Sequence, residues 1–456
     1  MKTAKIIVAI TLTILAITAF VSAQETPATL YKDGPVSGRM IDTAFYPGDS
    51  NYHAIVHASD GFVYYAICTH ERNTHVHLFR YDPKTGEATT VADIGEKFGE
   101  DPTVNIPQGK VHCDIFELDG KLYFGTHVGI YERGGTEDHG PYPGGHFASY
   151  DLATGAFHDY GIGVAEEGLV SMAIDKDRKR LYALTWPSAI FVYCDIASGE
   201  IKSFGPSVLG HAYINDKEFG GVPRSLAVDP RDGNVYYWNL GETVSFYDYA
   251  ADTIGVREDH DLGRPILKVS MRNSENDQIM WRSIRWNDAD QLFYGVMFWS
   301  EDLFTYDPRT GDIEMLDRIA PGPNKRTGEI FAGSLAFELS SDGTTVYYVN
   351  NLKGYAAKDK SQEALHLVTY NIPLRKYVDH GPIVLEDGRK ATYCQGVEVG
   401  RDGNLYLVCN IPFTDFDSEK GRKIKDIRYK ATPTEQLKVV YEINLVVVKD
   451  PLNQGE

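Results

Sequence analysis

The chain has 456 residues, 12% of them aromatic, with 29 tyrosines, 43 glycines and a formal charge of −19. So acidic a chain excludes the phosphate backbone of nucleic acid as the expected partner, and any anionic ligand must find a local basic patch against the overall field. Tyrosine and glycine at this level suit short strands joined by tight turns better than long helices.

The first 23 residues have the pattern of a cleaved secretion signal. Lys2 and Lys5 precede an apolar run over about Ile6 to Phe20, and Val21-Ser22-Ala23 offers small residues for cutting after Ala23. The run is too short and wrongly flanked for a membrane span. No cysteine follows the cut to carry a lipid, and no later stretch is apolar enough to cross a bilayer. The expectation is a secreted or periplasmic soluble protein with no membrane partner, two charge units more negative once Lys2 and Lys5 leave.

From Asp60 onward one hairpin phrase recurs: an Asp-rich turn, then an aliphatic residue, then an aromatic. It reads Asp60-Gly-Phe-Val-Tyr64, Asp119-Gly-Lys-Leu-Tyr123, Asp177-Arg-Lys-Arg-Leu-Tyr182, Asp232-Gly-Asn-Val-Tyr236, Asp288-Ala-Asp-Gln-Leu-Phe293, Asp342-Gly-Thr-Thr-Val-Tyr347 and Asp402-Gly-Asn-Leu-Tyr406. The aromatics fall 54 to 59 residues apart. A second phrase, as in Tyr81-Asp-Pro-Lys-Thr-Gly86 and Tyr306-Asp-Pro-Arg-Thr-Gly311, supplies the turn after each third strand. Length alone suggests two or three domains. The repeat instead predicts an all-β, seven-bladed β-propeller, one domain over 24–456.

The blades are expected at about 52–98, 111–162, 168–206, 222–258, 280–319, 330–382 and 391–449. Residues 36–47 would pair with the last blade and close the ring. The five cysteines (68, 113, 194, 394 and 409) sit in or beside predicted strands without CxxC spacing, and most are expected to be buried small hydrophobes.

The longest inserts, Cys68–Val76, His127–Gly145, Ser207–Val222, Asn351–Ala364 and Ile411–Gln436, fall on one face of such a ring, where function is usually carried. The second strand of each blade should reach that face at His127 and Trp186, among others. The first strand should start there at His112, Arg224 and Arg282. These five residues are therefore expected in one basin. His127 and His146 bracket a Gly-rich insert that also holds Tyr142, and Tyr213 lies in the loop before Arg224.

Lys110-Val-His112, Thr126-His127-x-Gly-x-Tyr131, Tyr142-Pro-Gly-Gly-His146-Phe, Leu184-Thr-Trp-Pro187, Arg224-Ser-Leu and Trp281-Arg-Ser283 resemble motifs of secreted seven-bladed polysaccharide lyases that cut ulvan, a sulfated algal polymer of rhamnose and uronic acid. The resemblance covers blades two to five, and the remainder through architecture. It implies that His127 and a tyrosine flank C5 of the uronate, while Arg224 and His146 neutralise its carboxylate. Tyr213 is the expected tyrosine, with Tyr193 and Tyr142 as alternatives. His112, Tyr142, Trp186 and Arg282 would hold the sugar.

The resemblance also implies a monomer acting on an anionic algal polysaccharide without a metal in catalysis. Some relatives hold a structural metal through His and Cys late in the chain. Here His260 has no nearby Cys in sequence, so no metal ligand is assigned.

β-Elimination fits this set. It removes the C5 proton, alpha to a carboxylate, and expels the group at C4. The carboxylate is a poor electron sink, so fixed positive or donor groups are needed where charge develops, together with a positioned base and acid. Two other readings stand beside it. One is a lyase for another uronate polymer, such as pectin-type oligomers, using a divalent metal. The other is a propeller that binds glycan and catalyses nothing.

Overall fold

The computed structural model describes residues 34–453 except 132–134, 136, 138, 208–211, 215–216, 220–221, 239–242, 261–280, 299, 355–362, 431–436 and 438. Side chains of 212–214 and 217–219 are also outside the description, as is the whole signal segment.

Five separate four-stranded sheets and one eight-stranded sheet make seven blades. Blade one is Ile55–His57, Val63–Ile67, His77–Asp82 and Glu87–Asp93. Blade two is Phe116–Leu118, Lys121–Gly125, Gly144–Asp151 and Phe157–Ala165. Blades three, four and five begin at Gly168, Ala227 and Trp281. All strands within a blade are antiparallel to their neighbours, each hairpin leading to the next.

Burial follows position in the blade. The second strand Val63–Ile67 is buried at every residue, because neighbouring blades cover both its faces. The outer strand Glu87–Asp93 has one fully buried residue and reads polar.

The eight-stranded sheet is blades six and seven joined through the N-terminal strand. Val36–Ile41 pairs antiparallel with Val440–Lys449, in the register Gly38↔Val448, and parallel with Lys376–Leu385. The strand from the start of the chain thus completes the last blade, as expected for 36–47. This closure satisfies backbone groups that an open edge would leave unpaired.

The hairpin phrase has a hydrogen-bonding reason. The Asp60 carboxylate accepts from the Phe62 amide (3.1 Å) and from the Tyr64 hydroxyl (2.8 Å), and Asp402 is bonded in the same way by Asn404 and Tyr406. Aspartate fixes the turn, and the aromatic four residues on locks it while its ring packs between blades. Trp238, Trp281, Tyr182 and Tyr247 are fully buried in this inter-blade layer. Burying rings of this size contributes roughly 3 kcal/mol each. All five cysteines are buried and free, as expected.

Two elements depart from the predicted plan. Gln108–Lys110 and His127–Val128 form their own two-stranded ladder, and Ala212–Ile214 pairs with Lys217–Phe219. A helix, Glu419–Arg428, lies in the last blade's insertion and starts at Ser418, whose Oγ accepts from the Gly421 amide. Among the described residues no helix is long and apolar enough to cross a membrane.

Candidate functional site

The Gln108–Lys110 ladder places Lys110 directly opposite His127. Two glycines make this possible. A Cβ on Gly109 would lie 2.2 Å from Gly129 Cα, so these two strands meet only through glycine. A Cβ on Gly168 would lie 2.1 Å from His127 Nδ1, so the first residue of blade three gives the imidazole its space.

His127 is 1% exposed, and its Nδ1 abuts the Gly168 backbone without a well-formed hydrogen bond to any described residue. The ring stands edge-on to His112 at 5.2 Å and to Trp186 at 5.8 Å. Burial, then the charges of Lys110 and Arg224, hold its pKa well below the ordinary value, so it is a neutral imidazole at pH 7. His112 is shifted the same way by burial and by Arg224, His127 and Lys110. Its Nδ1 lies 2.9 Å from the Val170 carbonyl. A carbonyl only accepts, so Nδ1 carries the proton and Nε2 keeps its lone pair. Tyr52 stacks on the His112 ring at 4.1 Å.

Three cations face this basin. The Lys110 ammonium, on a fully buried side chain, donates to the Tyr131 hydroxyl at 2.9 Å and lies 4.0 Å from that ring's centre. Arg224 is partly buried, and its Nη1 is enclosed without a hydrogen-bond partner among the described residues. Arg282 donates to Gln395 (3.2 Å) and lies over Phe298. Burial lowers the pKa of Arg224, and burial lowers that of Arg282 to about 10, with Arg224 among the opposing charges. Both remain protonated at pH 7. Tyr52 and Tyr131 face Arg224, and Tyr393, Tyr348 and Tyr52 face Arg282. Among the described residues no carboxylate forms an ion pair with any of the three cations. Elsewhere arginines such as Arg178, Arg231 and Arg389 are bridged to aspartate or glutamate.

The structure thus brings together His112, His127, Trp186, Arg224 and Arg282, drawn from blades two to five. It takes His146 elsewhere. That imidazole is bracketed by Glu100 and Asp159, each at 2.9 Å, and stacks on Phe98. Burial opposes its charge, but the two carboxylates outweigh it and raise its pKa to about 9. A histidine spent on two carboxylates has no charge to lend a third, which corrects the role implied for His146.

Tyr142 is also removed from the basin: it is fully buried, and its hydroxyl donates to Gln108 at 2.7 Å. It presents no face to a sugar. Trp186, 6% exposed, packs edge-on against Tyr131 at 4.9 Å and so walls the basin rather than opening as a stacking platform. Tyr193 is buried under Arg180 in its blade. Tyr213 lies on the strand Ala212–Ile214, and its side chain falls outside the described residues. His260, the late-chain histidine, bonds the Tyr306 hydroxyl at 2.7 Å.

Sequence reasoning assigned no role to Lys110, Tyr131, Tyr52 or Tyr393. Tyr52 and Tyr393 sit at first-strand starts, the position that flagged His112, Arg224 and Arg282. Extending that rule to blades one and seven would have found them. Lys110 carried no such signal, because the two-residue ladder that turns it toward His127 is not part of the blade repeat.

Seven blades, with three cations and two neutral imidazoles gathered from blades two to five, define a seven-bladed β-propeller with a cationic basin. No protein-family model and no curated protein matches the sequence. Among solved structures, the chain is similar to the extracellular domain of a protein assigned as a hybrid two-component system from B. thetaiotaomicron. The identity is 12%, covering 82% of this chain and 38% of that one, with a TM-score of 0.49. It is also similar to a chain of a mitotic checkpoint complex (12% identity, 81% and 87% covered, TM-score 0.47). A third likeness is to a chain of a nidogen/laminin complex (9% identity, 71% and 94% covered, TM-score 0.39). These likenesses concern overall shape and bring no activity to this chain.

Proposed function

We propose that the protein is a secreted polysaccharide lyase that cleaves a uronate-containing, ulvan-type polymer by β-elimination. The observation that carries this reading is the pair of cations Lys110 and Arg224 facing a neutral His127, with Arg282 beside Arg224 and no carboxylate partner for any of the three among the described residues. An uncompensated buried charge costs several kcal/mol unless a ligand supplies its partner. Lys110 is buried and Arg224 and Arg282 are partly buried, and a protein of net charge −19 that gathers the three is suited to receive an anion there.

A uronate carboxylate at Arg224 gains a permanent charge and a bidentate donor as the enolate-like intermediate forms. Neutral His127 is the base for the C5 proton, and its depressed pKa keeps it unprotonated at neutral pH. Arg282 is placed to hold a further anionic group of the polymer.

The test is to incubate the mature protein with ulvan, alginate, pectate and chondroitin, with and without chelator, and follow the ultraviolet absorbance of the unsaturated uronate product. Absorbance rising on ulvan and unaffected by chelator is the expected result. Activity confined to pectate and abolished by chelator would transfer the reading to a metal-dependent lyase. Silence on every polymer, with binding retained, would leave a glycan-binding propeller.

A further inference from the structure

The elimination proposed above needs a proton donor for the departing oxygen, and the basin offers one in Tyr131. We propose that Tyr131 is the catalytic acid, donating its phenolic proton to the C4 oxygen, and that Lys110 is the positioning residue that holds its hydroxyl and balances the phenolate left behind.

Four features support this assignment, which rests on the elimination reading. First, Tyr131 is 48% exposed and so open to substrate, whereas Tyr142 and Tyr193 are buried. Second, its ring is in the basin, 6.5 Å from His127 and 4.9 Å from Trp186 between centres, and it faces the charge on Arg224. Third, its oxygen is fixed by an ammonium at 2.9 Å, and an ammonium has donors only, so the phenol oxygen accepts and its own O–H is free to point at a ligand. Fourth, Lys110 lacks a carboxylate partner among the described residues, so a phenolate at Tyr131 would be its first counter-charge.

The step balances within the protein. Neutral His127 takes the C5 proton, and the C5–H electron pair becomes the C4=C5 double bond. The C4–O bond breaks, and the departing oxygen takes the proton of Tyr131. This leaves an imidazolium and a phenolate, and proton return from one to the other, directly or through water, resets the site. Lys110 assists both ends: it holds the phenol oxygen at 2.9 Å, and its charge disfavours protonation of His127 before substrate arrives. The other charged or titratable groups facing His127 are Arg224 and His70, which disfavour its protonation too, and its ring neighbours are His112, Tyr131 and Trp186.

The experiment compares Tyr131→Phe, Lys110→Met and Arg224→Ala with wild type on the uronate polymer, with melting temperature as the control for folding. Tyr131→Phe should lose roughly 100-fold in kcat, the range of a general acid, with KM changed less than threefold. Lys110→Met should shift the acidic limb of the kcat/KM–pH profile upward, because His127 would protonate at higher pH without the neighbouring ammonium. A fall in kcat of less than tenfold in Tyr131→Phe, or a change in KM alone, overturns the assignment. If Arg224→Ala is inactive in the same series, the elimination survives without Tyr131. An unmoved acidic limb in Lys110→Met removes Lys110 from the mechanism. A wild type inactive on every uronate polymer overturns the elimination and the role of Tyr131 together.

Discussion

Arg282 and Arg285 stand three residues apart on one strand, Trp281–Asn287, and the two halves of that strand differ in what surrounds the guanidinium. Arg282 has one amide and an aromatic ring as partners. Arg285 bonds Asp114 at 2.7 Å and Glu338 at 3.0 Å, and its Nη2 lies 3.2 Å from His53 Nδ1. The half around Arg285 encloses about 390 Å³, lined also by Lys176 and Glu398. Burial pushes the Asp114 carboxyl up, but Arg285 and His53 outweigh it and hold its pKa at about 2. The two halves share their strands and differ in what neutralises the cation. Where carboxylates of the chain do so, the charge is structural. At Arg282 no carboxylate does so among the described residues.

That contrast can be broken from either side. The largest effect is expected in the open half: Arg224→Ala and His127→Ala should each cut elimination by about 10³-fold, the scale for a group acting on developing charge. Both should unfold within a few degrees of wild type, and initial rates with thermal melts check this. Wild-type rates in either variant would deny that the basin does chemistry.

In the half around Arg285, Arg285→Met should cost about 3 kcal/mol of unfolding free energy, because it leaves Glu338 without its ion pair and Asp114 with His53 alone. Its KM should not move. Chemical denaturation beside kinetics would show this, and a changed KM with unchanged stability would erase the distinction between the halves.

His146→Asn tests the correction made above. With its pKa raised to about 9, the charged His146 stabilises the fold fully below its unfolded value near 6.5, and the contribution is lost as pH rises through 9. The variant should be about 2 kcal/mol less stable at pH 7, should approach wild type above pH 9, and should keep its activity where folded. Loss of kcat without loss of stability would return His146 to the catalytic set.

The smallest effect is expected at Glu398, whose pKa burial pushes up to about 8 against the opposing His57 amide. The folded state then holds this proton more tightly than the unfolded chain. Stability should fall as pH rises from about 5 to 8, on the order of 1 kcal/mol for a partly exposed group. Glu398→Gln should flatten that slope, as melting temperatures across the range would show.

Much of the fold was legible before any coordinates. The Asp-to-aromatic phrase is a local device in which Asp60 bonds both its turn and Tyr64, so its recurrence marks blade after blade. Membership of the basin was legible to the same extent: first-strand starts gave His112, Arg224 and Arg282, and strand ends gave His127 and Trp186. His146 failed because a spacing of nineteen residues from His127 says nothing about Glu100 and Asp159, which reach it from other elements. Tyr142 failed for the same reason, through Gln108.

The chain by itself determined the number of blades and the closure by residues near its start. These follow from turns, alternation and spacing, all local properties of the polymer. Only tertiary structure decided which charged side chains found partners. An ion pair joins residues far apart in sequence, as Arg285 and Asp114 are, and its absence at Lys110 and Arg224 among the described residues is a fact about space rather than about spacing.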